Sequence, residues 1–207
     1  MKLGRFITFE GIDGAGKSTH LAWAAHFLLG RGVGVIATRE PGGTILGEQL
    51  RQILLAGDQR IGAETETLMM FTARRQHLED VILPALQRGD WVLCDRFTDA
   101  SFAYQGGGRG VAKDKLEILE RWVHPDLQPD LTLLFDVSAE LGQSRVVGTK
   151  SLDRFEREGV EFFSRVRNAY LERLRQWPNR MVRVDANKPI ADIQREIEQR
   201  LLTIWKK

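Results

Sequence analysis

The sequence predicts an α/β fold in which a five-stranded parallel sheet is flanked by helices. A glycine-rich loop, residues 11–18, stands between a strand-like run and a helical run. Short apolar runs recur along the 207 residues, with longer helical segments between them. Most of these runs are continuous rather than alternating, as parallel strands covered on both faces require.

Taken in order, residues 5–10 (R-F-I-T-F-E) form the first strand and residues 19–31 the first helix. Gly30, Gly32 and Gly34 punctuate a turn, and a short strand follows at 35–38. Residues 91–95, 131–137 and 181–185 supply the third, fourth and fifth strands. The long segment 64–87 reads as helix, with Leu68, Phe71, Leu78, Val81, Ile82 and Leu86 as its apolar stripe. Further helices are predicted at 113–123, 160–176 and 190–205. No repeat, low-complexity tract or linker interrupts the alternation, so residues 1–207 read as one domain. In such sheets ligands bind beyond the carboxyl ends of the strands.

Composition narrows the functional classes. The chain is 43% hydrophobic and 28% charged, which fits a soluble globular protein. Its net charge of +2 gives no global case for binding nucleic acid or a membrane surface. The single cysteine, Cys94, allows no intrachain disulfide and fits a reducing cytoplasm; inside W-V-L-C it reads as a core residue. No leader precedes the first strand, and no apolar stretch approaches bilayer length. His20, His26, His77 and His124 are scattered, without metal-ligand spacing.

Residues 11–18 read G-I-D-G-A-G-K-S, a complete G-x-x-x-x-G-K-[ST] match. Glycines let such a loop wrap so that N–H groups converge on phosphate oxygens, and the helix behind it presents the positive end of its dipole. Gly11, Ile12, Asp13, Gly14, Ala15, Gly16, Lys17, Ser18 and Thr19 are therefore the expected cradle of a nucleoside triphosphate. Lys17 would reach the β- and γ-phosphates, and the Ser18 hydroxyl would bind Mg²⁺.

The third strand ends in Asp95-Arg96. An apolar strand ending in aspartate can hold Mg²⁺ directly or through water, although Asp136 closes a similar strand. Arg96 reads either as a strand-end ion pair or, beside a phosphate loop, as a bidentate anion binder. Residues 140–156 spread Arg145, Lys150 and Arg154 over a glycine-interrupted stretch. Solvated surface is one reading. A mobile lid is the other, since a transferring phosphoryl group needs compensating charge and exclusion of water.

The strings F-E-G-I-D-G-A-G-K-S-T, T-R-E-P-G-G-T, D-R-F-T-D-A-S-F-A-Y-Q-G-G-G-R-G, P-D-L-T-L-L-F-D-V and L-D-R-F-E resemble the thymidylate kinase family of P-loop nucleoside monophosphate kinases. The resemblance runs nearly end to end. It implies the P-loop NTPase fold with a small mobile lid, Mg²⁺-dependent transfer of the ATP γ-phosphoryl group to dTMP, and a homodimer. By position, it implies that Asp13 accepts from the 3′-hydroxyl of the deoxyribose. Arg39, Glu40 and Pro41 would border the acceptor nucleotide, with Glu40 near Mg²⁺ and its waters. Arg51 and Arg96 would hold the acceptor phosphate, Ser101 and Gln105 would approach thymine, and Tyr104 would crowd the 2′ position. Arg74 would donate to thymine O4 while an aromatic ring, Phe71, stacks on the base. Lys17, Arg96, Arg145 and Arg154 would be catalytic, with Ser18, Asp95 and Glu40 around the metal.

Two departures bear on these assignments. Relatives commonly place the stacking Phe four residues before the base-reading Arg. Here Met70 precedes Arg74 by four and Phe71 precedes Arg75 by four. The neighbouring Gln76-His77 favours Arg74. In the lid, Thr149 stands where Arg is common, and Gly14 gives the phosphate loop no arginine. Other readings are a P-loop kinase for a different monophosphate or a deoxynucleoside, a GTPase, and a nucleic-acid-dependent ATPase. The only N-K-x-D candidate, residues 187–190, has Ile190 where aspartate belongs and more plainly borders adenine. No basic cluster supports the last.

Overall fold

The computed structural model describes residues 4–56, 60–146 and 153–205. The strands are β1 (Phe6–Glu10), β2 (Val35–Arg39), β3 (Trp91–Asp95), β4 (Leu131–Asp136) and β5 (Met181–Asp185), in the order β2-β3-β1-β4-β5. Every pairing is parallel. Phe9 lies beside Asp95, and Asp95 beside Arg39, so the chemistry-bearing residues that follow these strands emerge on one edge. β1 and β4 are buried throughout, which explains their unbroken apolar runs; the two outer strands, β2 and β5, are partly open.

Two apolar layers cover the sheet. Ile7, Phe9, Leu93 and Leu133 pack into one and Phe6, Val92 and Cys94 into the other. Cys94 is a core residue as expected: its thiol donates to the Arg96 carbonyl at 3.0 Å, and burial pushes its pKa well up.

α1 (Lys17–Leu29), α6 (Lys113–Val123), α8 (Val160–Gln176) and α9 (Ile190–Trp205) match the expected helices to within two residues. The segment expected as one helix over 64–87 is a rod of three parts: α3 (Ala63–His77), a π-helical turn Leu78–Ile82, and α4 (Leu83–Arg88). Pro84 lacks the N–H that would bond to the Asp80 carbonyl. The chain widens just before it, and the Leu83 N–H bonds five residues back to Leu78. Phe71, Leu78, Ile82 and Leu86 are buried along the rod, whereas Leu68 is 54% exposed and does not belong to the core stripe.

α2 (Ile45–Leu55) has no counterpart in the sequence expectations. Only Gly47 and Leu54 are buried in it, so no apolar stripe announces it; its one local signal is the Thr44 side chain accepting from the Gly47 N–H. After D-R-F the chain likewise coils into α5 (Thr98–Ser101), continued by a π-helical segment Phe102–Gly108. That segment lies directly against α8. A Cβ on Gly107 would stand 2.5 Å from that of Ala169, so only glycine permits the approach. Among the described residues no helix is long and apolar enough to cross a membrane.

Asp99 locks this corner. Its buried carboxylate accepts from Arg173 Nε at 2.8 Å and from Arg180 Nη1 at 2.7 Å, joining α5 to α8 and to the start of β5. Removing the carboxylate leaves the buried Arg180 without an ion pair among the described residues and Arg173 with only Glu120, at 3.7 Å. We expect Asp99→Ala to lower unfolding free energy by about 3–5 kcal/mol, read as a lower urea midpoint at unchanged slope.

Candidate active site

The phosphate loop leaves β1 through Gly11 (φ 134), Gly14 (φ 77) and Gly16 (φ 85) and enters α1 at Lys17, where no side chain caps the first turn. The first-turn N–H groups are therefore left to a ligand and the positive end of the helix dipole faces the loop, as at an anion site. Lys17 is buried, and its ammonium donates to the Ile12 carbonyl at 3.0 Å. Burial, and then Arg96, lower its pKa. Ser18 Oγ donates to Asp95 Oδ2 at 3.3 Å, while Asp95 Oδ1 is buried with no partner among the described residues. Asp136 is different: Arg167 and Arg183 occupy its two oxygens. The unspent aspartate is Asp95.

Arg96 is the sole described non-glycine residue with positive φ, at 72°. Its N–H still bonds to Phe9 O at 3.0 Å, so the chain finishes the ladder and then turns left-handed. The turn carries the guanidinium back across the strand ends, a conformation costing about 1–3 kcal/mol. Nη1 donates to the Gly11 carbonyl at 2.8 Å and to the Tyr170 hydroxyl at 3.2 Å. Nη2 donates to Asp13 Oδ1 at 2.8 Å and to the Tyr104 hydroxyl at 2.9 Å, and Tyr104 donates onward to Asp13 Oδ2 at 3.0 Å. Arg96 is thus no surface pair with Asp95. Against the effect of burial, Arg96 and then Lys17 hold the Asp13 pKa below the usual carboxylate range. A carboxylate inside the phosphate loop is balanced by these two cations.

A cleft of about 600 Å³, open mouth included, lies beside Arg96 and is of small-molecule size. Asp13, Glu40, Pro41, Arg51, Arg74, Arg96, Ser101, Tyr104 and Gln105 line it; Arg39 and Phe71 do not. Arg39 turns outward to Glu48 at 2.9 Å. Arg51, half-buried, donates to the Pro41 carbonyl at 3.0 Å. Arg74 is 2% exposed; it donates to Glu40 at 2.7 Å and to Phe97 O and Ser101 Oγ at 3.1 Å, leaving Nη1 buried without a partner among the described residues. Arg75 lies outside, bonded to Glu79 and to the Val123 carbonyl. The helix register therefore gives the cleft Arg74 and Met70, while Phe71 packs beneath the Arg74 guanidinium, 4.6 Å from its centre. Glu40 accepts from Arg74 on one oxygen and meets His77 with the other.

Of the expected lid, residues 140–146 belong to α7 (Ala139–Val146), while Thr149 and Lys150 lie outside the described residues. α7 sits directly on the phosphate loop. A Cβ on Gly14 would meet the Gly142 carbonyl at 2.1 Å, so the loop has no room for an arginine there. Arg145 reaches the Gly14 carbonyl at 3.4 Å and the Ala186 carbonyl at 3.3 Å, between the loop and the 187–190 segment after β5. Arg154 is elsewhere: it bonds to the Leu54 carbonyl at 2.9 Å and pairs with Glu66, and its neighbours Asp153 and Phe155 wall the cleft.

Residues 9–197 match the family model described as thymidylate kinase. The chain belongs to the thymidylate kinase family. It is 58% identical to the thymidylate kinase of Nitrosospira multiformis over 98% of each chain, and 57% identical to that of Nitrosomonas europaea over 99% of this chain and 95% of the other. The crystal structure of thymidylate kinase from Ehrlichia chaffeensis superposes with a TM-score of 0.78 at 34% identity, covering 96% of this chain and 98% of that one. The fold described above, a five-stranded parallel sheet flanked by helices, is thus that of the solved relative.

Sequence reasoning missed four buried polar residues behind the cleft: Glu10, Glu66, His77 and Tyr170. His77 joins Thr38 to Glu40. Glu10 accepts from the Phe97 N–H at 2.7 Å and from the Tyr170 hydroxyl at 2.8 Å, bracketing the Arg96 turn. Burial, and then Asp99, raise its pKa to about 8. Because that value lies above the unfolded one of 4.5, Glu10 contributes stability that is full below pH 4.5 and is lost as pH rises towards 8. We expect Glu10→Gln, which cannot ionise, to remove this decline. Urea midpoints at several pH values should converge on or cross those of the unaltered protein as pH rises; parallel curves would refute the assignment.

Proposed function

We propose that this protein transfers the γ-phosphoryl group of ATP to dTMP, giving dTDP and ADP for dTTP synthesis. The observation that carries the reading is the unpartnered Arg74 Nη1, buried in the cleft that Arg96 opens towards the phosphate loop. A buried donor without a partner is costly unless a ligand acceptor meets it, and thymine O4 is such an acceptor.

The acceptor phosphate carries its own nucleophilic oxygen, ionised near neutral pH, so no general base is needed. Catalysis is then positioning and charge compensation. Arg51 and Arg96 would grip the acceptor phosphate, and Asp13, oriented by Arg96 and Tyr104, would accept from the sugar 3′-hydroxyl. Lys17 and the loop N–H groups would hold the donor phosphates, with Arg145 closing over them from α7. Asp95 and Ser18 fit a Mg²⁺ ion that takes most of its ligands from phosphate and water, since Asp95 Oδ1 is unspent. When bound, Mg²⁺ neutralises charge on the phosphate oxygens.

Residues 1–207 would act as one domain in the cytoplasm, with 140–156 as its lid. A homodimer is supported by Leu68 on α3 and Ile118 and Trp122 on the adjacent α6, exposed by 54%, 55% and 77%.

ADP formation from ATP and Mg²⁺, measured against a panel of monophosphates and nucleosides, tests the reading. dTMP should be the best acceptor; faster turnover of CMP, AMP or thymidine would overturn it. Lys17→Ala should lower kcat strongly in a protein that still folds, because its ammonium meets charge that shifts during transfer. Arg74→Lys, which keeps a cation beside Glu40, should weaken dTMP binding at least about tenfold, or about 1.4 kcal/mol, with ATP binding intact. Arg75→Ala should leave both unchanged. Titration of each variant with dTMP and with a nonreactive ATP analogue separates these outcomes.

A further inference from the structure

Glu66, in the first turn of α3, is fully buried behind the acceptor cleft. Its carboxylate meets three donors from two other segments. Oε1 accepts from Gln105 Nε2 at 2.8 Å. Oε2 pairs with Arg154 and, at 3.4 Å, with Arg109. Gln105 is itself 1% exposed and lines the cleft.

We propose that Glu66 is a positioning residue for base specificity, fixing the Gln105 amide so that its carbonyl oxygen, not its N–H, faces the acceptor base. The inference rests on the dTMP reading. A carboxylate bonded to guanidinium groups only accepts, so the Gln105 atom against it must be the amide nitrogen. What Gln105 then offers to the cleft is an acceptor. Beside it Arg74 offers a donor, Nη1. Thymine presents the complement: a donor at N3–H and an acceptor at O4. Cytosine presents the reverse, an acceptor at N3 and an amino donor at C4. With Gln105 locked, cytosine sets acceptor against acceptor and donor against donor, and the buried site leaves both pairs unmade.

The two arginines give the test its direction. In Glu66→Gln, Arg109 and Arg154 still demand an oxygen on their side, so the new amide nitrogen turns to Gln105. Gln105 must then present its carbonyl to residue 66 and its N–H to the cleft. We expect the ratio of dTMP to dCMP affinity, from titration of each nucleotide, to fall at least about tenfold, with affinity for a nonreactive ATP analogue unchanged. In a Gln105→Ala background the same Glu66 substitution should not change that ratio further. Equal losses for both nucleotides, or an undiminished ratio in a folded variant, would overturn the proposal.

Should Glu66→Gln not fold, side-chain NMR of the unaltered protein decides. The Gln105 amide protons, assigned by their loss in Gln105→Ala, should exchange slowly with water both without and with dTMP. Exchange at the rate of an exposed amide in either state would refute the lock. Failure of the unaltered protein to phosphorylate dTMP would instead sink the functional reading, and the inference with it. Normal dTMP turnover with a Glu66→Gln variant that keeps its preference sinks only the inference.

Discussion

The left-handed turn at Arg96 is the constraint from which the site is built. A β3 that simply ran on would point this side chain to one face of the sheet. The turn instead lays one guanidinium across Gly11, Asp13, Tyr104 and Tyr170, so β1, β3, the π-helical segment and α8 share a single cation. Backbone strain of this kind persists only where the surroundings over-determine it. Here they do: Glu10 holds the next N–H, at Phe97, and also the Tyr170 hydroxyl that receives Arg96. The strain is local, but the orientation of Asp13 and of the cleft's mouth depends on it.

Around that turn, buried charges occur as assigned sets rather than isolated pairs. Asp99 faces Arg173 and Arg180, Glu40 faces Arg74 and His77, and Glu66 faces Arg109 and Arg154. Each carboxylate joins segments distant in sequence, and each would be costly alone. Their value lies in geometry. A carboxylate accepts and a guanidinium donates, so each set fixes which atoms remain unspent: in that of Glu40 it is Arg74 Nη1, buried beside the cleft.

The five strands, the phosphate loop and four of the helices were legible because each rests on a local pattern: continuous apolar runs, glycine spacing, or an amphipathic stripe. α2 was not, since a helix with two buried residues has almost no stripe to read. The cleft residues carried by the resemblance were legible where side chains point along an expected direction, as with Arg74 and Tyr104. Phe71 differs because one step along a helix turns a side chain by about 100°, enough to move it from the cleft wall to the core beneath. Glu10, Glu66 and Tyr170 were illegible for another reason. Glu66 sits in A-E-T-E-T, which reads as a solvated, acidic helix start favourable to the dipole. Only the tertiary approach of Gln105, Arg109 and Arg154 gives it a buried role.

The same logic separates the two described arginines expected of the lid. Arg154 lies in the most recognisable string of that segment, yet it pairs with a carboxylate that is wholly buried. Drawing Arg154 towards donor phosphates would leave Glu66 with Arg109, at 3.4 Å, as its one described cation and would uncover the wall formed by Asp153 and Phe155. Arg145 gives up only long hydrogen bonds to the Gly14 and Ala186 carbonyls, which water can replace. It also stands where α7 meets the loop, with glycine on both sides of that contact. The energetic asymmetry therefore leaves Arg145 the freer of the two to move and ties Arg154 to the wall of the cleft, a difference that the spacing of the residues along the chain does not reveal.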